Sequence, residues 1–179
     1  MERTGSGMNF TQLTEAFETY MGGQEQADPA QLALWFNEAQ LDLSWELGRV
    51  ASPLLTLAAG EEYEPPGDCL QLLGCDLPYR LLAGGRLLFE QGGRGRLHYR
   101  QRPASFSGTD GGQESELPSS CHYLLALFAV SRYWDAESEG DGQESALANK
   151  WLSYYYQGKS LARSRLPQGG ADIGGWAVQ

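Results

Sequence analysis

No stretch of this 179-residue sequence approaches the roughly 20 consecutive apolar residues that a membrane-spanning helix needs, so a membrane is not among the expected partners. The opening Met1–Gly7 has neither the charged nor the apolar region of a secretory leader, and synthesis in the cytoplasm is expected. Those seven residues are set aside from the fold argument. Cysteine is scarce: Cys69, Cys75 and Cys121 form no C-x-x-C pair, and an odd count leaves at least one thiol outside any disulfide scheme. The two histidines, His98 and His122, stand away from any cysteine or carboxylate pattern with metal-ligand spacing, which argues against a metal site. There is no G-x-S-x-G elbow, no phosphate-binding loop and no G-x-G-x-x-G; a hairpin between strands accounts for the glycines at 92, 93 and 95. Acidic pairs such as Glu61/Glu62 and Glu137/Glu139 have the chemistry for acid–base work, but nothing in the sequence sets two of them across a cleft. Cys121 falls in an apolar helical run that would raise its thiol pKa and make it inert. Neither enzyme activity nor a cofactor is expected.

Positive charge is also in deficit. Thirteen Lys and Arg against 23 Asp and Glu leave a formal charge of -10, which argues against gripping nucleic acid, since that affinity comes from cations that displace counterions. An acidic wall suits DNA that must pass without being held. With 41% apolar residues the chain can bury one sizeable core.

What is present is periodic. Phe10, Leu13, Phe17 and Tyr20 recur at helical spacing before Gly22-Gly23, which predicts a helix over about 10–21. Asp28-Pro29 signals the start of a second helix over 29–47. Its Leu32, Trp35, Phe36, Ala39, Leu43 and Leu47 make one apolar face, and Leu34, Leu41 and Trp45 make another. A helix with two apolar faces calls for two partners, its own core and either a second part of the chain or a neighbouring subunit. From 54 to 103 the period shortens. Leu54–Leu57 and Glu61–Pro65 read as extended and Gly67–Leu73 as a turn of helix; Tyr79–Ala83, Arg86–Glu90 and Arg96–Arg102 read as a β-meander, with Gly84-Gly85 as a hairpin turn. In the last of these strands Leu97 and Tyr99 point one way and Arg96, His98, Arg100 and Arg102 the other. That stripe reads either as a solvated strand face or as a dock for an acidic neighbour.

After a Gly/Ser-rich loop at Ala104–Gln113, an apolar helix over 118–137 is expected at the centre of the core. Asp141 and Glu144 have capping-box spacing ahead of a helix over 141–164, whose stripe is Leu147, Trp151, Tyr154, Tyr155, Leu161 and Ala162. Gly158 on that stripe suggests close approach by another backbone. The tail from 167 to 179 is glycine-rich yet keeps Ile173, Trp176 and Val178, a spacing suited to anchoring.

The order of these parts resembles that of the head-to-tail adaptors of tailed bacteriophages, most nearly the tail tubular or gatekeeper type. The likeness runs over about residues 10–166. It is carried by Gly60-Glu61-Glu62-Tyr63-Glu64-Pro65-Pro66-Gly67-Asp68-Cys69-Leu70, by Tyr79-Arg80-Leu81-Leu82 and Gly84-Gly85-Arg86-Leu87-Leu88, and by Leu97-x-Tyr99 with Pro103. Leu117-Pro118 and Asp141-Gly142 ahead of their helices complete it. The resemblance implies a mainly α (α+β) fold: a four-helix adaptor domain over 9–166 with an inserted antiparallel β-meander, a flexible arm over 1–8 and a docking tail over 167–179. It implies a structural virion protein at the head–tail junction that forms rings, typically of twelve copies. The portal protein would bind on one side and tail or nozzle proteins on the other, with DNA passing through without specific binding. Under it, Glu137, Glu139 and Asp141 would line the channel and Ile173, Trp176 and Val178 would dock on the portal. Arg96, Arg100 and Arg102, together with Leu34, Leu41 and Trp45, would contact other subunits or tail proteins. The competing expectation is a soluble, non-enzymatic binding or regulatory module, monomeric or dimeric, that recognises a peptide or small molecule through the meander.

Overall fold

A computed structural model of the chain describes residues 7–23, 26–138 and 142–165. They divide into two units: one formed by the segments up to Gly48 and from Pro103 onward, the other by Arg49–Arg102.

The first unit is helical. α1 (Phe10–Tyr20) opens on a reciprocal cap in which Asn9 Oδ1 accepts the Gln12 backbone amide at 2.9 Å and the Gln12 side-chain oxygen accepts the Asn9 backbone amide at 3.0 Å. α2 (Pro29–Leu47) starts where Asp28 accepts the Ala30 amide, with Pro29 in the first turn, where a missing N–H costs nothing. α3 (His122–Glu137) and α4 (Gly142–Arg165) follow the connecting strap 103–117. Apolar faces of α1, α2 and α3 meet at Phe17, Phe36, Ala39, Leu43, Leu124, Leu125 and Val130, all fully buried. Phe10, Phe36 and Phe106 interlock, with ring centroids 5.6–6.2 Å apart. The strap is fixed by a β-bridge between Asn9 and Glu114, with the Phe10 amide donating to the Gln113 carbonyl at 2.9 Å, and by side chains: Asn37 both accepts the Phe106 amide at 2.7 Å and donates to its carbonyl at 3.0 Å, while buried Gln40 takes the Ser115 hydroxyl at 2.7 Å.

α4 is less buried than its stripe suggests. Tyr155 and Gly158 face α2 and α3, whereas Tyr154 and Leu161 lie exposed. Tyr155 donates its hydroxyl to Asp42, which Lys159 also reaches at 2.8 Å; Lys159 lies 3.4 Å from Glu46. Burial, and then the Asp42 carboxylate, push the Tyr155 phenol well above the usual tyrosine value. At Gly158 the close neighbours are side chains, not backbone: an added Cβ would collide with Leu124 and come within 2.8 Å of the Tyr123 hydroxyl.

The second unit is β, and it corrects the expected fold. Its strands are β1 (Val50–Ala51), β2 (Leu54–Leu57), β3 (Glu62–Tyr63), β4 (Cys69–Cys75), β5 (Tyr79–Leu81), β6 (Leu87–Phe89) and β7 (Gly93–Gln101). β7 lies between β4 on one side and β1 with β2 on the other, and a separate sheet has the order β3-β6-β5, all antiparallel. Both sheets feed one core of Leu57, Leu87, Phe89, Leu97 and Tyr99. The described residues are about 49% helix and 21% strand, with four helices and two antiparallel sheets; this α+β mix overturns the four-helix adaptor domain carrying a β-meander. A meander would pair β7 with β6, but β7 pairs instead with strands from much earlier in the chain. The expected turn of helix at Gly67–Leu73 is mostly strand β4, whose period-2 signal is broken by register shifts after Cys69 and after Leu72. The β5–β6 hairpin turns through Ala83–Gly85, with Gly84 and Gly85 at φ 79° and 80°, a conformation that any Cβ would oppose.

Two measurements test the helical unit. Gly158→Ala is expected to lower the urea midpoint by an amount equivalent to about 1–2 kcal/mol, because overpacking against buried Leu124 outweighs the gain in helix propensity; an unchanged midpoint contradicts the packing described. The raised Tyr155 pKa contributes stability below the unfolded tyrosine value of about 10 that is lost as pH rises above it. Tyr155→Phe is therefore expected to cost about 1 kcal/mol at neutral pH and to flatten the alkaline loss.

Candidate functional site

The outward face of β7 is built by side-chain parity. The pairings Val50↔Arg100, Ala51↔Tyr99 and Leu54↔Arg96 to Leu57↔Gly93 keep one register, so β1 and β2 are one strand interrupted at Ser52-Pro53. Proline explains the interruption: the Leu97 amide still donates to the Pro53 carbonyl at 3.0 Å, but Pro53 has no N–H to return. Gly95, Leu97 and Tyr99 point inward and are buried. The opposite parity puts Arg94, Arg96, His98 and Arg100 outward, and their cross-strand neighbours Thr56, Leu54, Ser52 and Val50 share that face. Leu54 and Val50 are 49% and 48% exposed, so the face alternates guanidinium and aliphatic side chains. Arg102 lies just past the end of β7, exposed, with its amide donating to the Asp68 carbonyl at 2.7 Å.

A polar cluster braces this face. Asp76 accepts the Arg96 amide at 2.8 Å and lies 3.3 Å from His98 Nε2, while His98 Nδ1 lies 2.9 Å from the Ser52 hydroxyl. The Arg96 guanidinium donates to the Ser52 carbonyl at 3.1 Å. The Arg96 amide first, and His98 second, hold the Asp76 carboxyl below the usual aspartate range. Hydroxyl, imidazole and carboxylate in sequence have the parts of a nucleophilic triad, but acyl transfer also needs paired N–H donors aimed at a developing oxyanion. Here the cluster ties three strands together across the outward rungs of a sheet, and its geometry serves to hold the arginine row in register.

A second face lies on α2. Leu34 and Trp45 are 52% and 48% exposed and Leu41 is also exposed, with Glu38 between them on the same stripe. α2 contains three carboxylates and no Lys or Arg. The cations beside it come from other helices: Arg132 reaches Glu38 at 3.1 Å, and Lys159 and Arg163 reach Asp42 and Glu46. The expectation of two apolar faces on this helix thus resolves into one face inside the helical core and one that stays exposed.

Of the residues named for the channel, Glu137 is exposed at the end of α3; Glu139 and Asp141 lie outside the described residues, as do Ile173, Trp176 and Val178. Cys121 is buried, and burial pushes its thiol up, as it does for Cys69 and Cys75. His122 is also spoken for: its Nδ1 accepts the Met8 amide and its Nε2 donates to the Leu117 carbonyl, each at 2.7 Å. Among the described residues no three His, Cys, Asp or Glu side chains come together as a metal site, and no helix is long and apolar enough to cross a membrane. No family model matches the chain, and neither does any curated protein.

The partners of the arginine row, Val50, Leu54, Ser52 and Asp76, are the part of this site that sequence reasoning missed. The signal that could have found them is the alternation of Val50, Ser52, Leu54 and Thr56, broken for the eye by Pro53. Because folding lowers the Asp76 pKa, its contribution is whole above the unfolded aspartate value of about 3.9 and is lost as pH falls through the lower folded value. Asp76→Asn is expected to be less stable than the parent at neutral pH, with the gap closing on acidification. Urea midpoints across a pH series check this, and a gap independent of pH contradicts it.

Proposed function

We propose that the chain is a structural virion component, a head-to-tail adaptor that assembles as a ring between portal and tail and leaves a passage for DNA. The observation that supports this best is how charge is divided. The segments 1–48 and 103–166 carry sixteen Asp and Glu against six Lys and Arg, while 49–102 is close to neutral, with seven arginines against six carboxylates. An acidic helical part lets phosphate pass without capture, and a near-neutral part with an arginine row is free to meet protein. In this reading Glu137, Glu139 and Asp141 face the channel, Ile173, Trp176 and Val178 dock on the portal, and the exposed faces of α2 and β7 meet other protein. The ring number is set by the partner on which it assembles.

Mixing the purified chain with the portal of its own virus and imaging particles by negative stain is expected to show a ring appended to the portal. Deleting residues 168–179 is expected to abolish that ring. Absence of a complex across salt and concentration contradicts the adaptor reading and leaves a soluble binding module that uses the same faces. A ring that survives the deletion removes the docking role from the tail.

A further inference from the structure

We infer that the exposed α2 stripe of one copy seats on the outward β7 face of a second copy, a head-to-tail contact between unlike surfaces. This rests on the assembly reading above and names the surfaces that carry it. Each face mixes exposed aliphatic or aromatic groups with charge: Leu34, Leu41 and Trp45 around Glu38, which pairs with Arg132, on α2, and Leu54 and Val50 among arginines, with Asp76 beside His98, on β7. The sign decides the pairing. The helical part carries sixteen carboxylates against six cations, so two helical parts repel, and two β7 faces would oppose arginine to arginine; contacts between like faces are disfavoured and the unlike pair is selected. Arg132, Lys159 and Arg163 partly offset the α2 carboxylates, so the apolar groups supply most of the affinity and the charges supply orientation.

Successive α2 stripe residues rise about 4.5–6 Å along the helix and successive outward residues of β7 about 6.8 Å, so a helix laid along the strand matches about two rungs before the repeats fall out of step. The face of Trp45 offers a guanidinium a cation–π seat, which a lysine would fill less well. Because the two faces differ, one contact leaves the β7 face of the first copy and the α2 stripe of the second free, and further copies add to a closed ring or an open filament.

Sedimentation velocity on the full chain and on two variants tests this. The wild type is expected to self-associate as concentration rises toward millimolar. Arg96→Glu with Arg100→Glu, and separately Leu41→Asp with Trp45→Ser, are each expected to weaken association by at least about tenfold. Mixed together, the two variants are expected to form a one-to-one dimer and nothing larger, since the first keeps a sound α2 stripe and the second a sound β7 face. Leu54→Glu repeats the β7 test without touching the side chain that donates to Ser52, and circular dichroism melts confirm that each variant is folded. A wild type that stays monomeric, a folded variant that assembles like the wild type, or a mixture that does not dimerise overturns the inference. Portal rings that form normally with either variant leave the adaptor reading standing and this contact wrong; dimers that form as expected without any portal complex do the reverse.

Discussion

The alternation of side chains along β7 is the constraint on which the rest of the β unit depends. A strand paired on both sides has no freedom to rotate, so burying Leu97 and Tyr99 forces Arg94, Arg96, His98 and Arg100 outward together. A slip of one residue would drive four cationic or titratable side chains into the Leu87/Phe89 core and put Leu97 and Tyr99 in water, so the register is protected by several hydrophobic residues at once. Asp76 adds to it from the β4 side by holding the Arg96 amide, and Ser52 adds to it from the β1–β2 side through His98. The arginine row is therefore a consequence of the core rather than a separate feature.

The helical unit obeys a different rule. α2 contributes Leu32, Phe36, Ala39 and Leu43 to a core already filled by α1 and α3, so the apolar residues on its other side find no room within that core. Tyr155 and Lys159 of α4 reach α2 through Asp42, a polar contact that leaves the stripe uncovered. A large exposed tryptophan beside two exposed leucines is costly in water, and such patches usually mark surfaces that meet protein. The α2 carboxylates are ion-paired with Arg132, Lys159 and Arg163, so the negative sign belongs to the helical part as a whole, set against the arginines of β7, and it discourages like parts from meeting.

Helices were the most legible part of the sequence, because their signals are local: Asp28-Pro29 opens α2 where its cap forms, and Phe10, Leu13 and Phe17 mark the buried side of α1. The parity of β7 was legible for the same reason. Sheet topology was not, since the partners of Gly93–Arg96 lie near residue 55 and no local pattern records that pairing. β4 was misread because two register shifts break its period, and Pro53 hid the Val50–Ala51 part of the strand that continues as Leu54–Leu57. The stripe on α4 was overread, since helical spacing shows which residues share a face but not how much of that face a neighbour covers; Tyr154 and Leu161 stayed outside. In the candidate site, the arginines and the α2 stripe could be named from the sequence, whereas Asp76 and Ser52 enter only through tertiary pairing.

Assembly as inferred covers the α2 stripe and the β7 face together. Hydrogen–deuterium exchange compared between dilute and concentrated protein measures this most directly. Added protection confined to residues 34–45 and to 50–56 with 94–100, rising in parallel with concentration, is the predicted result. Protection that appears on only one of the two faces, or elsewhere in the chain while both stay unchanged, would contradict the account.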